Sequence, residues 1–379
     1  MNENPLVQLQ DLGQCVWLDN LYRDLITTGR LKQMVVEGVT GITSNPTIFQ
    51  KAISGSTAYD ESLRAMIKKG IKDPKELFLG LAMEDVSSAA DILLASHEKT
   101  SCVSGFVSIE VSPDLAYDTD ATIKEARRLF TTINKKNILV KVPATKQGLP
   151  AIEQLTSEGV NVNVTLLFSI ERSAEVADSY IKGLERRLKS GGKIDGITSV
   201  ASFFVSRVDT LVDKLLERRL ESATPEEEKK TINSLIGKAA VVNARLAYKR
   251  FKEIFSGPRF SALKERGANE QRLLWGSTGT KNPKYSDVKY VDELIGPDTV
   301  NTMPEATLNA FSDHGKVKVT IEDDLRGAGE VFRKLNSIGI DMTAVTDQLE
   351  KEGVKAFSDS FFALLEEIAK RRDEILAGK

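Results

Sequence analysis

Only two histidines occur in the 379 residues, His97 and His314. That scarcity removes much chemistry. A Ser-His-Asp triad would need one of them, and a multi-histidine metal centre has too few ligands. His97 lies in the charged run SHEKT and His314 in the turn-like SDHG, so both read as surface polar residues. Acid-base work in such a chain falls to carboxylates and lysine. Cysteine is as scarce: Cys15 and Cys102 stand far apart, which gives neither a disulfide framework nor a CxxC site. Free thiols suit a reducing compartment. No apolar run approaches transmembrane length. The start, MNENPLVQLQ, has neither the basic region nor the apolar core of a signal peptide. The expectation is a cytoplasmic protein without a membrane partner. Charge of one sign is also missing: 52 basic against 54 acidic residues leave a net charge of -2. No general polyanion-binding surface follows, so nucleic acid is not expected as a partner.

What is present is an ordinary globular composition, 41% hydrophobic and 28% charged. Short apolar runs alternate with longer amphipathic ones. The strand candidates are CVWLDN (15–20), VTGITSNP (39–46), GFVSIEV (105–111), NILVKVPA (137–144), GVNVNVTLLF (159–168), GITSVASFF (196–204), RLLWGST (272–278) and DTVNTM (298–303). Helical segments such as ELFLGLAMEDVSSAADILLASHE and PAIEQLTSEG separate most of them. This order predicts βα units and a parallel sheet. Eight such units suit a (β/α)8 barrel, and a doubly wound open sheet is the alternative that the pattern alone does not separate from it. Thr224-Pro225-Glu226-Glu227 predicts a helix start with Thr224 as N-cap, a break near Gly237 and a stop at Gly257-Pro258. After residue 315 the texture is helical throughout. Residues 1–379 are therefore read as one barrel domain, with 316–379 a helical C-terminal extension packing on it.

Several strand candidates break the all-apolar habit of buried parallel strands. Side chains alternate faces with period two. In CVWLD, Trp17 and Asp19 oppose Val16 and Leu18; in FVSIEV, Ser108 and Glu110 oppose Val107 and Ile109. In LVKVP, Lys141 opposes Val140 and Val142; in VNVNVT, Asn161, Asn163 and Thr165 oppose the valines. Thr43 and Asn45 share a face, and Ser202 closes ITSVAS. In a barrel such residues meet at the C-terminal mouth. The pattern predicts that Asp19, Asn45, Glu110, Lys141, Asn163, Thr165 and Ser202 converge on one pocket.

Lys141 defines the chemistry. A free lysine titrates near 10.4, so at pH 7 roughly one in 2,500 is a neutral nucleophile. Burial raises that fraction, and a neutral lysine forms a Schiff base with a carbonyl substrate. The protonated imine draws electrons and lets a neighbouring carbon-carbon bond break. One carboxylate then takes the proton of the departing hydroxyl, and a second serves dehydration and hydrolysis at the imine carbon. Asp19 and Glu110 fit these roles. GSTGTKNPK (276–284) lacks the spacing of a Walker loop, but its backbone amides with Lys281 could meet a phosphate.

The chain resembles the transaldolase family, in its longer bacterial monofunctional form. The resemblance rests on VWLDNL (16–21), GITSNPTIFQKAI (41–53), VSIEVSPDLAYDT (107–119), ILVKVPATKQGLPAI (138–152), VNVTLLFS (162–169), SFFVSRVD (202–209) and WGSTGTKNPKYSD (275–287). It implies a (β/α)8 barrel of the class I aldolase kind with no cofactor and no metal. It implies transfer of a dihydroxyacetone unit from sedoheptulose 7-phosphate or fructose 6-phosphate to glyceraldehyde 3-phosphate or erythrose 4-phosphate, in the non-oxidative pentose phosphate pathway. By position, Lys141 resembles the Schiff-base lysine, Asp19 the proton-accepting aspartate and Glu110 the glutamate that works through a bound water. Thr165 resembles the threonine that helps to hold that water. Thr43, Asn45, Asn163 and Ser202 fall to the substrate's hydroxyls. Arg207 resembles a phosphate-binding arginine, with Ser277 and Lys281 as further phosphate candidates. The C-terminal helices would close over the mouth. A simple aldolase on the same scaffold, releasing free dihydroxyacetone, shares the imine chemistry. Barrel enzymes often form homo-oligomers through helix faces, and the surface pattern here marks no dimer patch.

Overall fold

A computed structural model describes residues 4–100 and 103–377. Its centre is a closed barrel of eight parallel strands: β1 (Gln14–Asp19), β2 (Gly41–Thr43), β3 (Phe106–Glu110), β4 (Ile138–Pro143), β5 (Val162–Leu167), β6 (Ser199–Phe204), β7 (Arg272–Gly276) and β8 (Thr299–Met303). They pair in chain order, and β8 closes back onto β1 through Gln14 to Leu18. Closure decides between the two architectures that the alternating pattern left open.

The two faces of the strands behave differently. Val16, Leu18, Val107, Ile109, Val140, Val142, Val162 and Val164 belong to the large core between strands and helices. Trp17, Phe106, Leu139, Val200, Leu274 and Val300 form a separate apolar cluster. They are the residues of opposite parity, so they fill the lumen. Each large side chain buried there contributes roughly 2–3 kcal/mol. Gly41 makes room for the indole, since a Cβ on it would stand 2.5 Å from Trp17. One step further along the same parity lie Asp19, Thr43, Glu110, Lys141, Asn163, Ser202 and Thr302. Aligned register brings them to one level: Asp19 pairs Thr43, Glu110 pairs Lys141, and Lys141 pairs Asn163.

The chain after β8 is helical, as expected. Helices Leu325–Ser337 and Met342–Leu376 follow, the second 35 residues long. That helix runs about 50 Å and packs on the barrel's mouth side. Thr47 Oγ1 donates to Ser360 Oγ at 3.0 Å, Phe361 meets Phe78 edge-on at 5.7 Å, and Arg371 pairs with Asp60 at 2.6 Å.

Three local expectations need correction. The helix expected at Thr224 spans Glu226–Leu235 with Pro225 at the cap position and no side-chain cap. Pro225 is extended, with ψ 132°, and proline disfavours the α region for the residue before it, so the helix starts later. The break comes at Gly237, with φ +70°, and Gly257-Pro258 ends one helix and opens the next, Pro258–Lys264. His97 is buried, with Nδ1 2.7 Å from the Ser104 carbonyl oxygen and its ring edge-on to Phe106. A carbonyl folded back onto the helix satisfies the imidazole, which makes burial affordable. His314 is exposed between Asp287 and Asp313, as expected, but it ends the helix Glu305–His314 rather than lying in a turn. Cys15 is half-buried with Arg272 Nη1 3.2 Å from its sulfur; Cys102 lies outside the described residues.

Candidate active site

A cavity of about 330 Å³ opens at the C-terminal ends of the strands. Asp19, Thr43, Asn45, Lys141, Ser202, Arg207, Ser277 and Lys281 line it. Glu110, Asn163 and Thr165 are buried and do not line it; Glu110 lines a smaller pocket with Ser44, Asn45 and Phe361.

Lys141 is 5% exposed, and β4 presents it inward because Val140 and Val142 take the helix-facing positions. Its apolar neighbours in sequence therefore point away from the amine. The Lys141 Nζ donates to the Ser44 carbonyl oxygen at 3.1 Å and lies 3.3 Å from Glu110 Oε2. Two carboxylates face this amine. Burial pushes Glu110 above the ordinary carboxylate range, against the pull of Lys141. Burial likewise raises Asp19, while Lys141, the Thr43 hydroxyl and Arg207 pull it down. Asp19 keeps part of its surface open to the cavity although it lies deep in the protein. Its Oδ1 accepts from Thr43 Oγ1 at 2.8 Å, and Thr43 Oγ1 lies 3.0 Å from Thr302 Oγ1.

Asn163 is enclosed: its Nδ2 donates to Ser108 Oγ at 3.0 Å and its Oδ1 accepts from Ser202 Oγ at 2.6 Å. It therefore holds Ser202 at the cavity edge and does not reach the cavity itself. Thr165 is fully buried, and its hydroxyl has no protein partner. Asn45 lines the cavity and also caps the helix Pro46–Ser54, accepting from Ile48 N at 3.0 Å. Just past Thr165 the ladder between β5 and β6 slips, with Leu166 at φ +57°. Its side chain reaches Gly353 of the long C-terminal helix, where a Cβ would stand 3.0 Å from Leu166 Cδ2.

The other wall is cationic. Arg207 stands 5.4 Å from the ring centre of Phe204 and 5.8 Å from that of Phe357. Burial lowers its pKa against the pull of Asp19 and Glu352. Burial lowers Lys281 too, and Arg207 adds to the effect. Among the described residues no carboxylate comes within ion-pair distance of either. Ser277, at φ +56°, turns the chain after β7 and meets Ser206 hydroxyl to hydroxyl at 3.0 Å.

Four contributors were not singled out in the sequence. Ser44 acts through its carbonyl, a group every residue carries. Thr302 sits in a strand read as present but not as part of the polar ring. Thr47 and Phe357 lie on helices, the second on the long C-terminal one.

Comparison with known proteins identifies the family. The family model described as transaldolase/fructose-6-phosphate aldolase matches residues 16–368. The chain belongs to that family, and it is an enzyme of it. It is 45% identical over 374 residues to a protein of Trichodesmium erythraeum named transaldolase, covering 98% of each chain. It is 47% identical to the transaldolase of Mycolicibacterium smegmatis, over 97% of each. It is 44% identical to transaldolase 2 of Nostoc punctiforme, over 96% of this chain and 97% of that one. No helix among the described residues is long and apolar enough to cross a membrane.

Proposed function

We propose that this chain is a transaldolase. It moves a dihydroxyacetone unit from sedoheptulose 7-phosphate or fructose 6-phosphate to glyceraldehyde 3-phosphate or erythrose 4-phosphate. The observation that carries the reading is one buried amine, Lys141, facing two carboxylates at one end of a cavity whose other wall bears two cations with no carboxylate partner among the described residues.

Lys141 Nζ adds to the ketose carbonyl, and loss of water gives a protonated imine. Asp19 takes the proton of the C4 hydroxyl, the C3–C4 bond breaks, and its electron pair moves toward the imine nitrogen as the aldose phosphate leaves. The enamine that remains adds to the aldehyde carbon of the acceptor. Asp19 returns its proton to the new alkoxide, and water releases the new ketose from Lys141. Glu110, 3.3 Å from Nζ, exchanges protons with the amine and with the water that is lost and regained, the latter held with the free hydroxyl of Thr165. Thr43, Asn45 and Ser202 bind substrate hydroxyls, with Asn163 orienting Ser202. Arg207, Lys281 and Ser277 take the phosphate.

The C-terminal helices fold onto the same domain and narrow the mouth, which keeps water from the enamine and favours transfer over release. The same reading puts the protein in the cytoplasm, in the non-oxidative pentose phosphate pathway. Borohydride reduction in the presence of fructose 6-phosphate, followed by peptide mass mapping, tests it. The added mass belongs on the peptide containing Lys141, and Lys141→Met should remain folded with no transfer. An adduct elsewhere, or none, would sink the mechanism. Substantial free dihydroxyacetone formed without acceptor would favour the aldolase instead.

A further inference from the structure

Helix Ser206–Ser222 leaves β6 with Ser206 and Arg207 in its first turn. At the end of that turn and one turn further it carries Asp209 and Asp213, 1% and 6% exposed, which do not touch the cavity. Their partners come from the segment after β7. Tyr285 OH donates to Asp213 Oδ2 at 2.6 Å. Lys289 Nζ and Tyr290 OH reach Asp209 Oδ2 at 3.1 and 3.0 Å. The other carboxylate oxygens accept backbone N–H groups, Asp213 from Gly237 at 2.8 Å and Asp209 from Ala240 at 2.7 Å. The Lys289 ammonium lies 4.6 Å above the Tyr285 ring. Gly237 sits at φ +70°, and a Cβ there would stand 2.9 Å from Tyr285. Each carboxylate oxygen of this cluster accepts a hydrogen bond from within the protein, so it offers no ligand a place.

The same segment is tied to the same helix at its near end. Ser206 N donates to the Ser277 carbonyl oxygen at 3.1 Å, and Val205 N to that of Gly276 at 3.0 Å. The loop from Ser277 to Tyr285 is thus fastened at both ends to one helix. Lys281 lies midway along it, and Arg207 rises from the helix itself.

We propose that the contacts of Tyr285 with Asp213, and of Lys289 and Tyr290 with Asp209, form a latch that positions Lys281 against Arg207 and so sets the spacing of the phosphate-binding cations. The proposal rests on the phosphate reading given above. Tyr285 and Asp213 are positioning residues: they act through the loop and touch no substrate. Tyr285→Phe keeps the ring over Lys289 and removes one hydroxyl. Its KM for fructose 6-phosphate should rise roughly three- to tenfold, part of the worth of a hydrogen bond to a carboxylate, with kcat held within about twofold. The kcat/KM for unphosphorylated D-fructose should stay at the wild-type value. Asp213→Asn, whose amide oxygen can still accept from Gly237 N while its Nδ2 donates to the Tyr285 oxygen, should raise that KM less. An equal loss for both sugars marks a merely structural role and overturns the latch, as does an unchanged KM for the phosphorylated sugar. Arg207→Gln in the same assay separates the two readings. Loss of the preference for phosphorylated sugar in Arg207→Gln, with none in Tyr285→Phe, overturns the latch alone; an unchanged preference in Arg207→Gln overturns both.

Discussion

Asp19 and Glu110 are carboxylates that the fold would rather keep protonated. Burial is the largest influence on each, and it outweighs the nearby cations. Two consequences follow for Asp19. As a base it must be ionised, so the acid limb of kcat/KM against pH should fall above the ordinary carboxylate value near 3.9. Removing it should cost transfer roughly 10²–10⁴-fold, the usual range for a general base. The stability effect has the opposite direction. A folded pKa above the unfolded one adds stability that is present below pH 4 and lost as pH rises through the folded value. Asp19→Asn should therefore raise Tm at pH 7.5, and that advantage should shrink toward pH 4. A Tm at pH 7.5 below wild type would contradict burial as the dominant cause. Lys141, Asp19 and Glu110 were readable as a group because period two puts them on the lumen parity with polar neighbours on successive strands. Ser44 was not, since a backbone carbonyl leaves no mark on side-chain pattern. His97 was misread because the Ser104 carbonyl that satisfies it lies beyond the end of its helix.

The helix Met342–Leu376 brings one side chain, Phe357, to the cavity, where it faces Arg207. A cation–π contact of this kind is worth about 1 kcal/mol. Phe357→Ala should raise KM for the sugar phosphates about fivefold and increase the share of dihydroxyacetone released free, read by product analysis with and without acceptor. An unchanged product ratio would remove this helix from the control of water. The existence of the helix was plain from the texture after residue 315. Its contact with the cavity was not, because an apolar residue at helical spacing looks the same whether it meets a core or a substrate. The barrel strands were placed within a few residues for a simple reason: each is a short, mostly apolar run, β-branched in most, bounded on at least one side by glycine, proline or asparagine. The pairing of Asp213 with Tyr285 spans 72 residues and has no local signature at all.

Closure of the sheet is what the alternating pattern could not decide, and it matters most for the molecule as a whole. With β8 joined to β1, the polar ring becomes a circle around one cavity instead of a row along an edge. Below that ring the lumen is stoppered by Trp17, Phe106, Leu139, Val200, Leu274 and Val300. The barrel is a blind vessel. Whatever enters through the mouth leaves through it, past Lys141. If Arg207 and Lys281 take the phosphate as proposed, two sugar phosphates cannot both hold that pair of cations. The first aldose must depart before the second arrives, and the dihydroxyacetone unit must wait on the enzyme between them. Initial rates at several acceptor concentrations should then give parallel double-reciprocal lines, and high acceptor should inhibit by occupying the mouth ahead of the ketose. Intersecting lines would mean that both sugars are held at once. The indole and the plug around it, of which Leu274 alone lines the cavity, thereby leave both sugars one route in and out at the opposite end of the barrel.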